Sequence, residues 1–94
     1  MSGGLAGLLR ERVTVAREGP RDALGGVAGA AAAVGSAWAG CVPDGPGRWR
    51  IAMRPFDVRA DDRIARAGMQ LRVLRVLTDP RMPDRITIYA EEVP

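Results

Sequence analysis

The stretch that most constrains how this chain can fold is Arg48–Arg54, Arg-Trp-Arg-Ile-Ala-Met-Arg. Trp49, Ile51 and Met53 share one side of a two-residue period, and Arg48, Arg50, Ala52 and Arg54 share the other. Such alternation is the signature of a half-buried antiparallel strand with a charged outer face. Pro43-Asp44-Gly45-Pro46-Gly47 forms a turn before it and Pro55–Asp62 a loop after it, because Pro lacks an amide proton and Gly-Pro pairs favour turns.

The same period recurs along the chain. In Arg10–Arg17, Val13 and Val15 face one way and Arg12, Thr14 and Ala16 the other. Glu18–Asp22 breaks that strand at Gly19-Pro20, and Ser36–Val42, containing Trp38, supplies the next. Arg63–Leu77 fits two periods: Ile64, Ala67, Leu71 and Leu74 match a helix, and Met69, Leu71 and Val73 match a strand. Gly68 in its middle favours a short strand near Ile64, a turn at Ala67-Gly68, and a strand Met69–Leu77 buried on both faces in its second half. Thr78–Asp84 carries two prolines and reads as a turn, and Arg85–Ala90 alternates again, with Ile86 and Ile88 inward. Ala23–Gly35 is rich in Ala, which favours a helix, and in Gly, which costs about 1 kcal/mol per residue inside one. It reads as part of a long hairpin loop over residues 18–35, with a short helix as the alternative. Residues 1–8 are Gly-rich and read as a flexible arm.

About six short strands joined by Gly/Pro turns make an all-β fold. At 94 residues the expectation is a single domain, a small antiparallel β-barrel with a long Ala/Gly-rich loop. A barrel leaves no unpaired edge. One small core is all that a chain of this length holds.

The inventory excludes whole classes of chemistry. The sequence has no His and no Lys, so all 14 basic residues are Arg, and Cys41 is alone. Zinc-finger and zinc-hydrolase sites, Ser-His-Asp and Cys-His catalysis, Schiff bases and Walker lysines all fall away. No catalytic, cofactor or metal residue is expected, and the chain reads as a non-enzyme. Asp57, Asp61 and Asp62 invite a divalent-ion reading but match no loop template. They read as a solvated turn with a local Asp–Arg pair. The Gly25–Gly29 run lacks the Lys and Ser/Thr of a phosphate loop.

Cys41 reads as a small buried apolar residue, and a chain with one Cys suits a reducing cytoplasm. Ala23–Pro43 is uncharged apart from its flanks but broken by Gly and poor in Leu, Ile and Phe, so no membrane span is expected. Residues 1–47 hold four Arg and four acids, and residues 48–94 hold ten Arg against seven acids, which is where the +3 net charge lies. Interleaved signs suit a salt-bridged surface better than a nucleic-acid stripe. Arg48, Arg50 and Arg54, with Arg59, Arg63 and Arg66 nearby, leave open a second reading as a nucleic-acid-binding barrel using the face of residues 48–66. Trp38 and Trp49 read as core anchors or plugs between subunits.

The order of the segments carries a resemblance. Leu9-Arg10-Glu11-Arg12-Val13-Thr14-Val15, Ala37-Trp38-Ala39, the Pro43–Gly47 turn, Arg48–Arg54, Asp61-Asp62-Arg63-Ile64 before Gly68, Asp79-Pro80 and Ile86–Glu92 follow one another at a characteristic spacing. This order resembles that of tailed-phage head–tail joining proteins, also called head-closure or stopper proteins. The likeness runs from Leu9 to Val93 and departs at Val27–Gly35, where the family usually has a polar, aromatic-containing strand. It implies a structural protein of a virion or gene transfer agent neck, assembled in the bacterial cytoplasm as a homo-oligomeric ring. Portal and adaptor proteins would lie on one side and tail terminator or tail-tube proteins on the other, with duplex DNA passing through without sequence-specific binding. On this view ring and partner contacts are expected at Arg10, Arg12, Trp38, Arg48, Arg50, Arg54, Arg63 and Tyr89. Leu24, Gly26, Val27, Ala31 and Val34 are expected on a loop facing the channel or an adjoining ring.

Overall fold

The computed structural model describes residues 5–17 and 32–94. A helical turn, Leu5–Leu8, leads into six strands: β1 (Glu11–Arg17), β2 (Ala32–Pro43), β3 (Arg48–Met53), β4 (Arg63–Arg66), β5 (Met69–Thr78) and β6 (Ile86–Glu92). They form a closed antiparallel barrel in the order β1-β2-β3-β6-β5-β4, with β4 returning to β1. The all-β barrel expected from the sequence is the fold observed.

The alternating residues fill the interior. Val13 and Val15 of β1, Ile51 and Met53 of β3, Ile64 of β4, Leu71 of β5 and Ile88 of β6 are fully buried. Each such side chain contributes on the order of 1.5–3 kcal/mol through removal from water. Val58, from the loop after β3, completes the cluster.

Closure depends on a short seam. β1 pairs with β4 over Thr14↔Ala65, Val15↔Ile64 and Ala16↔Arg63 only, whereas β1 pairs with β2 over seven positions. Each end of the seam carries a two-pronged arginine–carboxylate pair. From β1, Arg17 donates Nε to Asp62 Oδ1 at 2.9 Å and Nη2 to Oδ2 at 2.8 Å. From β4, Arg66 donates Nε to Glu11 Oε2 at 2.7 Å and Nη2 to Oε1 at 3.0 Å. The donor comes from β1 at one end and from β4 at the other. Forked guanidinium–carboxylate geometry fixes orientation as well as distance.

Asp62 is the buried polar residue of the core, 2% exposed. Burial pushes its carboxyl up, but the Arg17 hydrogen bonds and the Arg59 amide, 2.8 Å from Oδ2, outweigh that and hold it below the usual range. Its partner is pushed above the ordinary arginine value, mainly by the same hydrogen bond. The expected solvated turn with a local ion pair is thereby corrected. Asp62 is enclosed and its guanidinium comes from 45 residues away.

Two β-bulges revise the strand limits. β2 begins at Ala32, not Ser36, because β1 extends to Arg17 and its backbone groups find partners as far as Ala32. The register shift between Val15 and Ala16 leaves Val34 as the extra residue, packed against the core. Gly35 beside it has φ +150°, and a Cβ there would stand 2.9 Å from the Phe56 ring. Ala32–Gly35 therefore belong to the barrel wall, and the rest of the expected loop, residues 18–31, lies outside the described residues.

The second bulge inserts Leu74 between Val73↔Ala90 and Arg75↔Tyr89. It turns Arg75 outward and Val76 inward, and leaves Leu77 43% exposed. The second half of β5 is thus not buried on both faces. Strict alternation from Val73 would have sent Arg75 into the core, and the extra residue avoids burying a charge. The expected turn between β4 and β5 is a two-residue one, with Ala67 at φ 48° and Gly68 at φ 80°. Positive φ at both positions is the mirror-image geometry that matches strand twist.

Two predictions follow from the seam and the turn. Arg17→Met should cost about 3 kcal/mol, toward the low end for breaking a buried pair because Arg17 is 29% exposed. In the native chain the stabilisation from Asp62 is complete above about pH 4 and drains away as pH falls through its lowered folded-state value. Urea unfolding at pH 7 and at pH 3 should show this acid loss in the native chain and a smaller one in Arg17→Met. Ala67→Asn should raise stability by about 0.5–1 kcal/mol, since Asn accepts positive φ more readily than Ala; an unchanged urea midpoint would contradict it.

Candidate interaction surfaces

The outer wall sets the residues that meet other molecules. On β2 the outward positions are Ser36, Trp38, Gly40 and Val42. Trp38 is half exposed, with the Arg12 guanidinium 5.4 Å above its ring. It is no core anchor, because its register opposite Arg12 turns it to the outside. Arg10 donates its Nε–H to the Gly7 carbonyl at 3.0 Å. The Leu5–Leu8 turn rests on Gly40, where a Cβ would lie 2.5 Å from the Leu8 carbonyl oxygen. This part of the expected arm is therefore seated on the barrel, leaving Leu8 exposed.

Under that turn is a cleft of about 240 Å³ lined by Leu8, Arg10, Cys41, Val42 and Ala52. Cys41 is half buried, not enclosed as expected: it packs against the core from one side and lines this cleft on the other. Burial, then the nearby Glu11 carboxylate, pushes its thiol above the ordinary value.

Trp49 is the tryptophan that serves the core. It packs against the central cluster, lies 4.2 Å beneath Arg66, and donates Nε1–H to Glu92 Oε2 at 3.0 Å. Arg66 is thus held between an indole face and Glu11, only 16% exposed.

A row crosses the wall through Val42, Arg50, Tyr89 and Arg75 on β2, β3, β6 and β5. The Arg75 guanidinium lies 4.5 Å from the Tyr89 ring centre. Of the residues expected at an interface, the fold therefore unites Arg50 with Tyr89 and Arg12 with Trp38, while Arg10 lines the cleft beside Leu8 and Val42. It separates the others. Arg48 lies 3.8 Å from Glu91, Arg54 is exposed just past β3, and Arg63 is half buried opposite Arg72. Glu91 is held below the usual carboxylate range chiefly by Arg72, whose Nη2 is 2.6 Å away.

The basic face of residues 48–66 is partly neutralised in the same way. Arg59 faces Asp57 at 3.3 Å and Arg66 is enclosed with Glu11. Among the described residues no group of three or more acidic or thiol side chains is placed to hold a metal. Asp57, Asp61 and Asp62 each face a guanidinium. No described helix is long and apolar enough to cross a membrane. Of the five residues expected on the projecting loop, Leu24, Gly26, Val27 and Ala31 lie outside the described residues, and Val34 is in β2.

Sequence reasoning missed the β5 side. Leu77 and Met82, both exposed, line a cleft of about 330 Å³ with Pro80, Thr87 and Tyr89. The charge at Arg75 inside an apolar run was the one signal that a bulge would turn Leu77 outward.

No protein-family model matches this chain, and no curated protein does either. Two solved structures share its fold. A protein of Shigella flexneri 2a, determined in solution, aligns with TM-score 0.73 and 25% identity over 95% of this chain and 96% of its own. A chain in the virion of a native gene transfer agent particle aligns with TM-score 0.70 and 21% identity over 90% and 96%. In both cases nearly the whole of the other chain is matched.

The carboxylate pairing of Arg48, Arg59, Arg66 and Arg72 bears on DNA. The purified protein should bind duplex DNA with a log–log salt slope no steeper than about −2, equivalent to roughly two phosphate contacts. A slope near −5 would put the arginine face on phosphates.

Proposed function

We propose that this chain is a structural protein of a phage or phage-like particle, forming a homo-oligomeric ring in the neck between portal or adaptor and tail. There it closes the head and joins it to the tail. The observation that carries this reading is the whole-chain match to a component of a gene transfer agent virion. The order of sequence segments from Leu9 to Val93, which resembles head–tail joining proteins, agrees with it independently.

The physical character of the molecule supports a mechanical role. Its wall carries ion pairs and half-exposed aromatic residues, which suit contacts between proteins where oppositely charged groups set register. With no His and no Lys in the sequence, catalysis is no part of the proposal. On this reading the Arg side chains meet protein, and DNA slides past without sequence-specific contact. A duplex that must move would be gripped by an unbroken basic lining. Assembly takes place in the bacterial cytoplasm, and the finished location is the particle neck.

Deleting the gene in its host and imaging released particles by negative stain tests the reading. Full or leaking heads without tails, alongside free tails, are expected. Joined particles at the normal frequency would overturn it.

A further inference from the structure

The outer face of β3, β6 and β5 repeats one arrangement in two successive rows. In the first, Arg48 of β3 and Arg72 of β5 stand on either side of Glu91 of β6. Both turn to its carboxylate: Arg48 Nε lies 3.8 Å from Oε1, and Arg72 Nη2 lies 2.6 Å from Oε2. In the second row, Arg50 and Arg75 stand on either side of Tyr89. The Leu74 bulge creates this row, since without the extra residue Leu74 would stand opposite Tyr89 in place of Arg75. Here the central residue brings a hydroxyl and no charge.

The two rows are therefore neutralised unequally. Arg72 has Asp61 at 3.1 Å in addition to Glu91, and beyond the second row Arg81 and Arg85 face Asp79 and Asp84. Arg50 and Arg75 make no ion pair among the described residues. Neighbouring strands lie about 4.8 Å apart, so the backbones of these two arginines are separated by about 10 Å across β6. Arg48 and Arg72 span the same separation, and they meet on one carboxylate.

We propose that the β3–β6–β5 face binds an acidic segment of a partner protein, one of whose carboxylates seats between Arg50 and Arg75 beside Tyr89. This rests on the reading of the chain as a joint between proteins and names the face and the chemistry of one contact. The Glu91 row shows within the chain what the second row is shaped to hold. Guanidinium donors recognise carboxylates with strong, directional bonds, and complementary charge sets which surfaces meet. Arg75 lies on the Tyr89 ring at 4.5 Å, where a stacked base would need to be. Two guanidiniums in one row match a single carboxylate better than the run of phosphates on a duplex.

A labelled peptide of alternating Glu and Thr, with its Gln-Thr counterpart as control, is titrated with the full chain at low salt. Arg50→Gln/Arg75→Gln should weaken binding of the acidic peptide by at least about fivefold. Arg10→Gln/Arg12→Gln removes the same charge at β1, three strands from β6 by either route, and should change binding by less than about twofold. None of these four arginines has a carboxylate partner among the described residues, so unchanged urea midpoints show that both variants fold. Equal losses in the two variants, no binding of the acidic peptide, or equal binding of its Gln-Thr counterpart overturns the proposal. A DNA duplex that outcompetes the peptide at the same salt would make the face a nucleic-acid surface and overturn it as well. In the host, Arg50→Gln/Arg75→Gln should lower the fraction of tailed particles severalfold. Tails joined at the normal frequency in that variant would overturn the face and leave the neck reading standing. Peptide binding lost in that variant, in a protein whose deletion leaves particles joined, would do the reverse.

Discussion

The barrel stands or falls on the seam where β4 meets β1. Every other neighbouring pair is joined by a longer ladder, while this one has three residue pairs to turn an open sheet into a closed wall. Hydrogen bonding over so short a contact is a weak latch. The guanidinium–carboxylate forks at Arg17–Asp62 and Arg66–Glu11 add four charge-assisted bonds, two at each end. Because each strand is donor at one end and acceptor at the other, sliding β4 along β1 breaks both forks together. The seam is fixed in register as well as held shut.

That closure lets the outer wall carry so much exposed material. In an open sheet, a row such as Val42, Arg50, Tyr89 and Arg75 would share the surface with unpaired backbone edges that recruit other strands. Here the edges are consumed, and side chains alone decide what the molecule meets. The Leu74 bulge contributes to the same end. It keeps Arg75 out of the core and, as a by-product, lifts Leu77 to the lip of the β5 cleft.

Much of this was legible in the sequence, and what was not has a physical reason. Period-two alternation located β1, β3, β5 and β6, and Gly68 located the β4–β5 turn, because both signals are local. Bulges are tertiary in origin. Val34 and Leu74 are extra residues only in relation to their partners on β1 and β6, so alternation within one strand cannot register them. The partner of Asp62 is likewise 45 residues away in sequence, and the neighbouring Arg63 offered a misleading local candidate. At the surface, the union of Arg12 with Trp38 and of Arg50 with Tyr89 depends on strand register. Arginine spacing along one segment counted Arg48, Arg54 and Arg63 equally, although the fold disperses them.

The division between the two tryptophans gives the molecule a pair of built-in optical probes with separate jurisdictions. Trp49 sits beneath Arg66 with its indole N–H on Glu92, so its emission reports whether the barrel is intact. Trp38 faces outward under Arg12 and outside the core cluster, so its emission responds to whatever covers the β2 face. The buried chromophore thus follows the barrel, and the exposed one follows contacts made on its outer wall.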